Sequence, residues 1–196
     1  HIAAAYLESP GLEHPFIALV VSGGHTSLIL VREENTFESL GGTRDDAAGE
    51  EFDKVAKVLG LGYPGGPVLS RLAEEGDPAA IDFPRAMMHS GDYSFSLSGL
   101  KTAVINHIRH EGEAGRDVNV PDLAASFQQA VIDMLVIKTM RAVAQVPDVS
   151  NVVLGGGVAA NQALRAALAE ACADRQLGFH AAPMAYCVDN AAMIAA

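Results

Sequence analysis

The stretch Phe16–Val31, "FIALVVSGGHTSLILV", decides the fold. A run of strand-forming apolar residues breaks at Ser22-Gly23-Gly24-His25 and then resumes. Two glycines between two such runs predict a hairpin, with Gly23 and Gly24 supplying the positive φ angles of a tight turn. Outward from it, Asp46–Leu59 predicts a helix: Phe52, Val55, Ala56 and Leu59 recur at helical spacing, and Gly60 stands at the stop position. "GYPGGP" (62–67) then reads as a glycine-rich loop, with a short helix from about Val68 to Glu75. Residues 76–96 have little periodicity and read as a long surface excursion. Further helices are predicted over Ser98–His110 and Pro121–Val146, the second with Leu123, Phe127, Val131, Met134 and Leu135 on one stripe. "NVVLGGG" (151–157) reads as a buried strand entering a glycine turn. An Ala/Leu-rich helix, a short strand near "LGFHAAP" (177–183) and a helix starting near Asp189 complete an α/β pattern.

Composition bounds the function classes. The 196 residues are 49% hydrophobic and 19% charged, enough to bury a sizeable core. No apolar run approaches the roughly 20 residues of a membrane helix, and no secretory leader is readable, so the expected address is cytoplasmic. Cys172 and Cys187 are too few for a disulfide framework and are expected to be reduced core residues. A formal charge of −11 lacks the basic footprint of a stand-alone nucleic-acid binder. The sequence starts at "HIAAAYL" without an initiator methionine and stops at "NAAMIAA" inside a helical pattern, so a fragment is expected.

Chemistry is expected where strands end in glycine. In "VLGGGVAANQAL" (153–164) Gly155, Gly156 and Gly157 follow a strand and open a helix, so their N–H groups can face a phosphate. A single turn of this kind serves equally to pack a helix on a sheet. The chain holds three such places, at Ser22–His25, Pro64–Gly66 and Gly155–Gly157, and their convergence on one cleft would make a nucleotide site.

Ordered along the chain, "VSGGHTSL", "DDAAGEEFDKVAKVLGLGYPGGP", "FSLSGLKTAV", "GGGVAANQALR" and "CVDNAAMIA" resemble the successive motifs of the TsaD family of bacterial tRNA threonylcarbamoyladenosine transferases, once described as glycoproteases. The resemblance implies the actin-like ATPase (ribonuclease H-like) fold, with residues 1–196 forming a partial domain truncated at both ends: the end of the first lobe and most of the second. It further implies that Val20, Val21, Ser22, Gly23 and Gly24 touch an adenylate, threonylcarbamoyl-AMP, or ATP and ADP analogues. His25 either donates to a phosphate or carbonyl oxygen or simply caps the hairpin.

For the remaining candidates two readings stand side by side. Asp53 lies four residues before Lys57, the spacing of an exposed ion pair, whereas the resemblance makes it a ligand contact. Gly66 is an ordinary turn residue or, by resemblance, a point of close approach to a ribose or adenine. Gly156 and Asn161 start a helix by propensity and contact nucleotide by resemblance. Asp189 reads as an N-cap and, by resemblance, as a metal ligand. His1 would be the second histidine of the family's H-x-x-x-H pair. Two imidazoles and a carboxylate suit one divalent metal, Fe(II) ahead of Zn(II). Val188 replaces the more usual Thr, and Leu97 stands where Phe is commoner; both leave the implied ligands intact.

The implied reaction is acyl transfer to the exocyclic amine of the adenosine 3′ of the anticodon, in tRNAs that read codons beginning with A. No general base is identified. The implied partners are tRNA, the TsaB and TsaE proteins, and the enzyme that makes the adenylate. Two other classes stay open: a metallopeptidase, although Ile2-Ala3-Ala4-Ala5 lacks the glutamate such an enzyme needs beside its histidine, and a non-catalytic scaffold paralogue.

Overall fold

In a computed structural model, residues 1–2, 6, 9, 11–183 and 187 are described. Five strands form one sheet: β1 (Phe16–Val21), β2 (Thr26–Glu33), β3 (Thr36–Gly42), β4 (Asn151–Gly155) and β5 (Gly178–Ala181), in the order β3-β2-β1-β4-β5. The helices are α1 (Ala48–Val58), α2 (Gly66–Ala73), α3 (Ser98–Glu113), α4 (Val120–Gln145) and α5 (Gln162–Ala173), with a 3-10 turn at Gly157–Ala160. β1 pairs antiparallel with β2, Val21 opposite Thr26, and parallel with β4, Val20 opposite Gly155. As the central strand it is buried along its whole length, which is why its sequence is continuously apolar.

The two-residue period divides the sheet's side chains between two cores. Ile17, Leu19, Val21, Leu28, Leu30, Val152 and Leu154 join the large core to which α1, α2, α3, α4 and α5 all contribute. Phe16, Ala18, Val31 and Val153 form a smaller cluster on the other face with Leu12, flanked by Ile2, Tyr6 and Ile29. Phe52 of α1 meets Phe127 of α4 edge to face, with ring centroids 5.2 Å apart, a contact worth roughly 0.5–1.5 kcal/mol beyond its buried area.

The hairpin, the helices and the short last strand stand where the sequence puts them, and Gly60 ends α1 as expected. Its φ is +72°, its N–H donates to Lys57 O at 3.1 Å, and the next N–H, of Leu61, reaches Ala56 O at 2.9 Å. Together these make a Schellman stop. Cys172 and Cys187 are buried and free of disulfides.

Several expectations change. Gly23 and Gly24 do not take positive φ; the hairpin closes by a four-residue turn in which the Ser22 N–H donates to His25 O at 2.7 Å. β3 is an added strand, entered through Asn35 at φ +64°, and its exposed Thr36, Phe37, Glu38 and Ser39 hid it from a search for apolar runs. α2 begins at Gly66, two residues before the expected start at Val68, because Asp53 supplies acceptors to its first N–H groups. Residues 76–96 are strapped to α4 and the sheet: Phe83 and Phe95 are buried, Arg85 pairs with Asp133, and Phe95 bridges Thr43.

α4 has 26 residues and, by length and composition, is apolar enough to cross a membrane, contrary to the expectation that no segment would be. Within the fold, 61% of its most apolar window is buried, so it serves as the core helix against which the others pack. Fully buried Lys138 fixes its partner loop, donating to Ser90 Oγ and Asp92 O at 2.8 Å each. The helix expected near Asp189 lies outside the described residues.

Candidate functional site

Because β1 and β4 run parallel with Val20 beside Gly155, their carboxyl ends open at one edge of the sheet. Ligands of open α/β sheets bind at such an edge. The Ser22–His25 turn leaves β1 there, and the Gly155–Gly157 turn leaves β4.

The first turn is largely self-satisfied. Ser22 Oγ accepts from the Gly24 and His25 N–H groups at 3.3 and 3.0 Å, so Gly23 is the turn residue whose N–H takes no part in this pattern. This narrows the expectation that the turn as a whole offers donors to a ligand. His25 has an exposed side chain while its backbone closes the turn. Val20 and Val21 are buried, so any contact they make with a ligand comes from their backbone.

The turn also fills the amino end of α1. That helix has no side-chain cap of its own at Ala47. Instead buried Thr26 Oγ1 accepts from the Ala48 N–H at 2.9 Å, and the Ser22 carbonyl accepts from the Gly49 N–H at 3.1 Å. A Cβ on Gly49 would stand 2.7 Å from that carbonyl oxygen, so only glycine allows the approach.

One turn further along α1, Asp53 Oδ1 accepts from the N–H groups of Gly65 and Gly66 at 2.9 and 3.1 Å. The carboxylate therefore caps the amino end of α2. The ion pair with Lys57 that its spacing suggested is replaced by this cap. The neighbouring Lys54 makes the ion pairs, with Asp46 Oδ2 at 2.7 Å and Glu50 Oε1 at 3.0 Å.

α2 leads to the third turn. Ser70 Oγ accepts from Asn161 Nδ2 at 3.0 Å, and Gln128 Oε1 of α4 accepts from the same nitrogen at 2.7 Å. Asn161 Oδ1 accepts from the Leu164 N–H at 2.9 Å, so the residue is the N-cap of α5, as propensity suggested. Gly156 has φ +94°, and a Cβ there would stand 2.3 Å from the Val21 carbonyl oxygen, back at the end of β1. The links thus close: first turn, α1, Asp53, Gly66, Ser70, Asn161, Gly156 and again the first turn. These contacts tie the three glycine turns, Asp53 and Asn161 into one connected rim.

His1 is at the same edge, its carbonyl oxygen 3.1 Å from where a Cβ on Gly155 would stand. Among the described residues no group of three His, Cys, Asp or Glu is placed to hold a metal, and Asp189 lies outside them. His1 therefore stands beside the Gly155 turn, its backbone and Cβ against that glycine.

Sequence reasoning missed Thr26, Ser70, Gln128 and Asp45. Asp45 accepts from Ser96 Oγ, the Leu97 N–H and Ser98 Oγ at 2.6, 2.8 and 2.8 Å, capping α3 from the segment before α1. Burial opposes its ionisation, but these donors prevail and hold its carboxyl at about 2. The Ser-x-Ser beginning α3 was the available signal. Beside it Glu51 is fully buried; burial first, then the nearby Asp46, push its carboxyl up to about 7.

Among solved structures, the fold is similar to full-length HypF in a phosphate- and nucleotide-bound form, with TM-score 0.73 and 13% identity over 99% of this chain and 34% of that one. The activator of 2-hydroxyisocaproyl-CoA dehydratase from Clostridium difficile aligns with TM-score 0.54 and 15% identity over 92% of this chain and 58% of that one. The architecture is the α/β, actin-like ATPase fold. Curated tRNA N6-adenosine threonylcarbamoyltransferases are 51% identical in Desulfitobacterium hafniense, over 100% of this chain and 57% of the relative, and 52% identical in Moorella thermoacetica, over 99% and 56%. The chain thus spans somewhat more than half the length of these relatives. The model of the TsaD family, tRNA N6-adenosine threonylcarbamoyltransferase, matches residues 1–196, and the chain belongs to that family.

Proposed function

We propose that the protein carrying this chain transfers a threonylcarbamoyl group from threonylcarbamoyl-AMP to N6 of the adenosine 3′ of the anticodon, in tRNAs reading codons that begin with A. The observation that carries the reading is the closed rim at the carboxyl ends of β1 and β4, in a chain of this family. N6 attacks the carbamoyl carbon, a C–N bond forms, the C–O bond to phosphate breaks, and AMP leaves with that oxygen. The amine proton passes to water. An aromatic amine is a weak nucleophile, so the protein's contribution is positioning and stabilisation of the charge developing on carbonyl and phosphate oxygens.

Gly23 offers a backbone donor at the first turn, and Gly156 lies against Val21, the residue just before that turn. Asp53 and Gly66 would lie along the ribose, and Asn161 would hold the nucleoside side of the rim. One divalent ion, iron(II) in preference to zinc(II), would be held by His1 and Asp189 and would supply Lewis-acid polarisation of the carbonyl. With a formal charge of −11, the chain borrows affinity for tRNA from the rest of the protein or from partners, for which TsaB, TsaE and the adenylate-forming enzyme are the proposed set. The reaction belongs in the cytoplasm, where its tRNA substrate resides.

Asp53 and Asn161 both carry structural bonds, so a scaffold paralogue would keep them too. The assay separates the readings: the full-length protein, with its partners, is given unmodified tRNA and threonylcarbamoyl-AMP, and the tRNA is digested and analysed by mass spectrometry. Threonylcarbamoyladenosine above the partner-only control supports transfer, and none leaves the scaffold.

A further inference from the structure

Tyr63 is 86% exposed, the most exposed large hydrophobic side chain among the described residues, ahead of Phe37 at 54%. It stands in the short loop between α1 and α2, three residues before Gly66. Both ends of that loop are fixed. On one side Leu61 is bonded back to Ala56; on the other, Gly65 and Gly66 are held by the Asp53 carboxylate. Gly65 is pressed so closely on Ala56 that a Cβ there would lie 2.2 Å from the alanine methyl. The ring is therefore presented from a rigid base, and its exposure is a property of the loop's position.

The rim supplies backbone donors, a carboxylate and an amide, the groups that suit phosphate and ribose. Among the described residues of the rim there is no exposed apolar ring to take a purine. The neighbouring aromatic Phe52 is turned into the core against Phe127. Building on the proposed adenylate site, we propose that the Tyr63 ring stacks on the adenine of the nucleotide and so selects for a base-bearing ligand. The adenylate is favoured over the tRNA acceptor base because Tyr63 shares its loop with Gly66, on the ribose side of the rim. An exposed phenol ring can stack on a base face at low ordering cost, since it has only two side-chain torsions to fix.

The test uses the full-length protein, titrated by calorimetry with AMP and with ribose 5-phosphate. For Tyr63→Ala the Kd for AMP should rise between about fivefold and about a hundredfold, which is the roughly 1–3 kcal/mol of base–aromatic stacking converted at about 1.4 kcal/mol per tenfold. Ribose 5-phosphate should bind as it does to wild type, Tyr63→Phe should match wild type for AMP, and the Tm of Tyr63→Ala should be unchanged. Unchanged AMP binding in Tyr63→Ala, equal weakening of both ligands, or a lowered Tm would overturn the assignment, the last two by making the residue structural. A raised KM for tRNA with AMP binding intact would also overturn it, by moving the ring to the acceptor base. If wild type itself binds no AMP, the adenylate reading fails as a whole, which is distinct from a wild type that binds and a variant that binds equally well.

Discussion

Asp53, on α1, holds the amino end of α2 through Gly66: one carboxylate oxygen accepts two successive backbone N–H groups, at 2.9 Å from Gly65 and 3.1 Å from Gly66. Replacing Asp53 by Ala should therefore destabilise the full-length protein by about 1 kcal/mol, against the roughly 0.2–0.5 kcal/mol expected of a surface ion pair. Asn at this position keeps an oxygen acceptor and should recover most of that loss. Urea titrations of wild type and both variants decide it, and a stability for Asp53→Ala equal to wild type would remove the cap.

Two glycines of the rim should respond oppositely to alanine. Gly156→Ala places a methyl 2.3 Å from the Val21 carbonyl at φ +94°, a double conflict expected to cost at least 2 kcal/mol or to abolish folding. Gly23→Ala meets nothing within 4 Å and has no positive φ, so its stability should stay within about 0.5 kcal/mol of wild type. Its affinity for AMP should nonetheless fall if this turn faces the ligand. Thermal melts and AMP titrations of the two variants give the comparison, and normal AMP affinity in Gly23→Ala would take the first turn out of the site.

Glu51 should make stability fall as pH rises. Its carboxyl stands at about 7 in the folded chain and at 4.5 when unfolded. Below 4.5 both states are protonated, and between 4.5 and 7 the folded state alone keeps its proton. Each pH unit in that window therefore costs up to about 1.4 kcal/mol, and the loss is complete above 7. Glu51→Gln should be more stable than wild type at pH 8 by on the order of 2 kcal/mol and similar to it at pH 4.5. Denaturation at both pH values tests this, and a parallel pH profile for the variant would show that Glu51 is ionised in the fold.

His1 should govern metal content. Full-length protein carrying His1→Ala, purified beside wild type, should lose most of its bound iron or zinc by elemental analysis. Wild-type metal content in that variant would require the ligand set to be redrawn without His1.

The sequence showed the hairpin, the long helices and the turns of the rim because each is written in a local signal: apolar runs, helical spacing, glycine after a strand. β3 escaped because an edge strand exposed on both faces needs no apolar residue, and its one cue was Asn35 in the turn. The partners of the rim escaped for another reason. Ser70 and Gln128 lie 91 and 33 residues from Asn161, and nothing local marks a serine or glutamine that will meet an amide so far along the chain. Asp53 was legible as a candidate by resemblance, but its neighbours were not: helical spacing names only Lys57, while the fold delivers Gly65 and Gly66.

The links of the rim form a cycle, and a cycle offers two routes between any pair of its members. Cutting the Ser70–Asn161 bond leaves Gly66 still tied to Gly156 through Asp53, α1 and the first turn, while Gln128 keeps its hold on Asn161 from the core. Ser70→Ala alone should accordingly be mild, and so should Gln128→Leu. Removing both leaves Asn161 Nδ2 without either acceptor, so their combined cost should exceed the sum, the mark of groups that act as one network. Redundancy of this kind lets single side chains drift while the outline of the rim is kept.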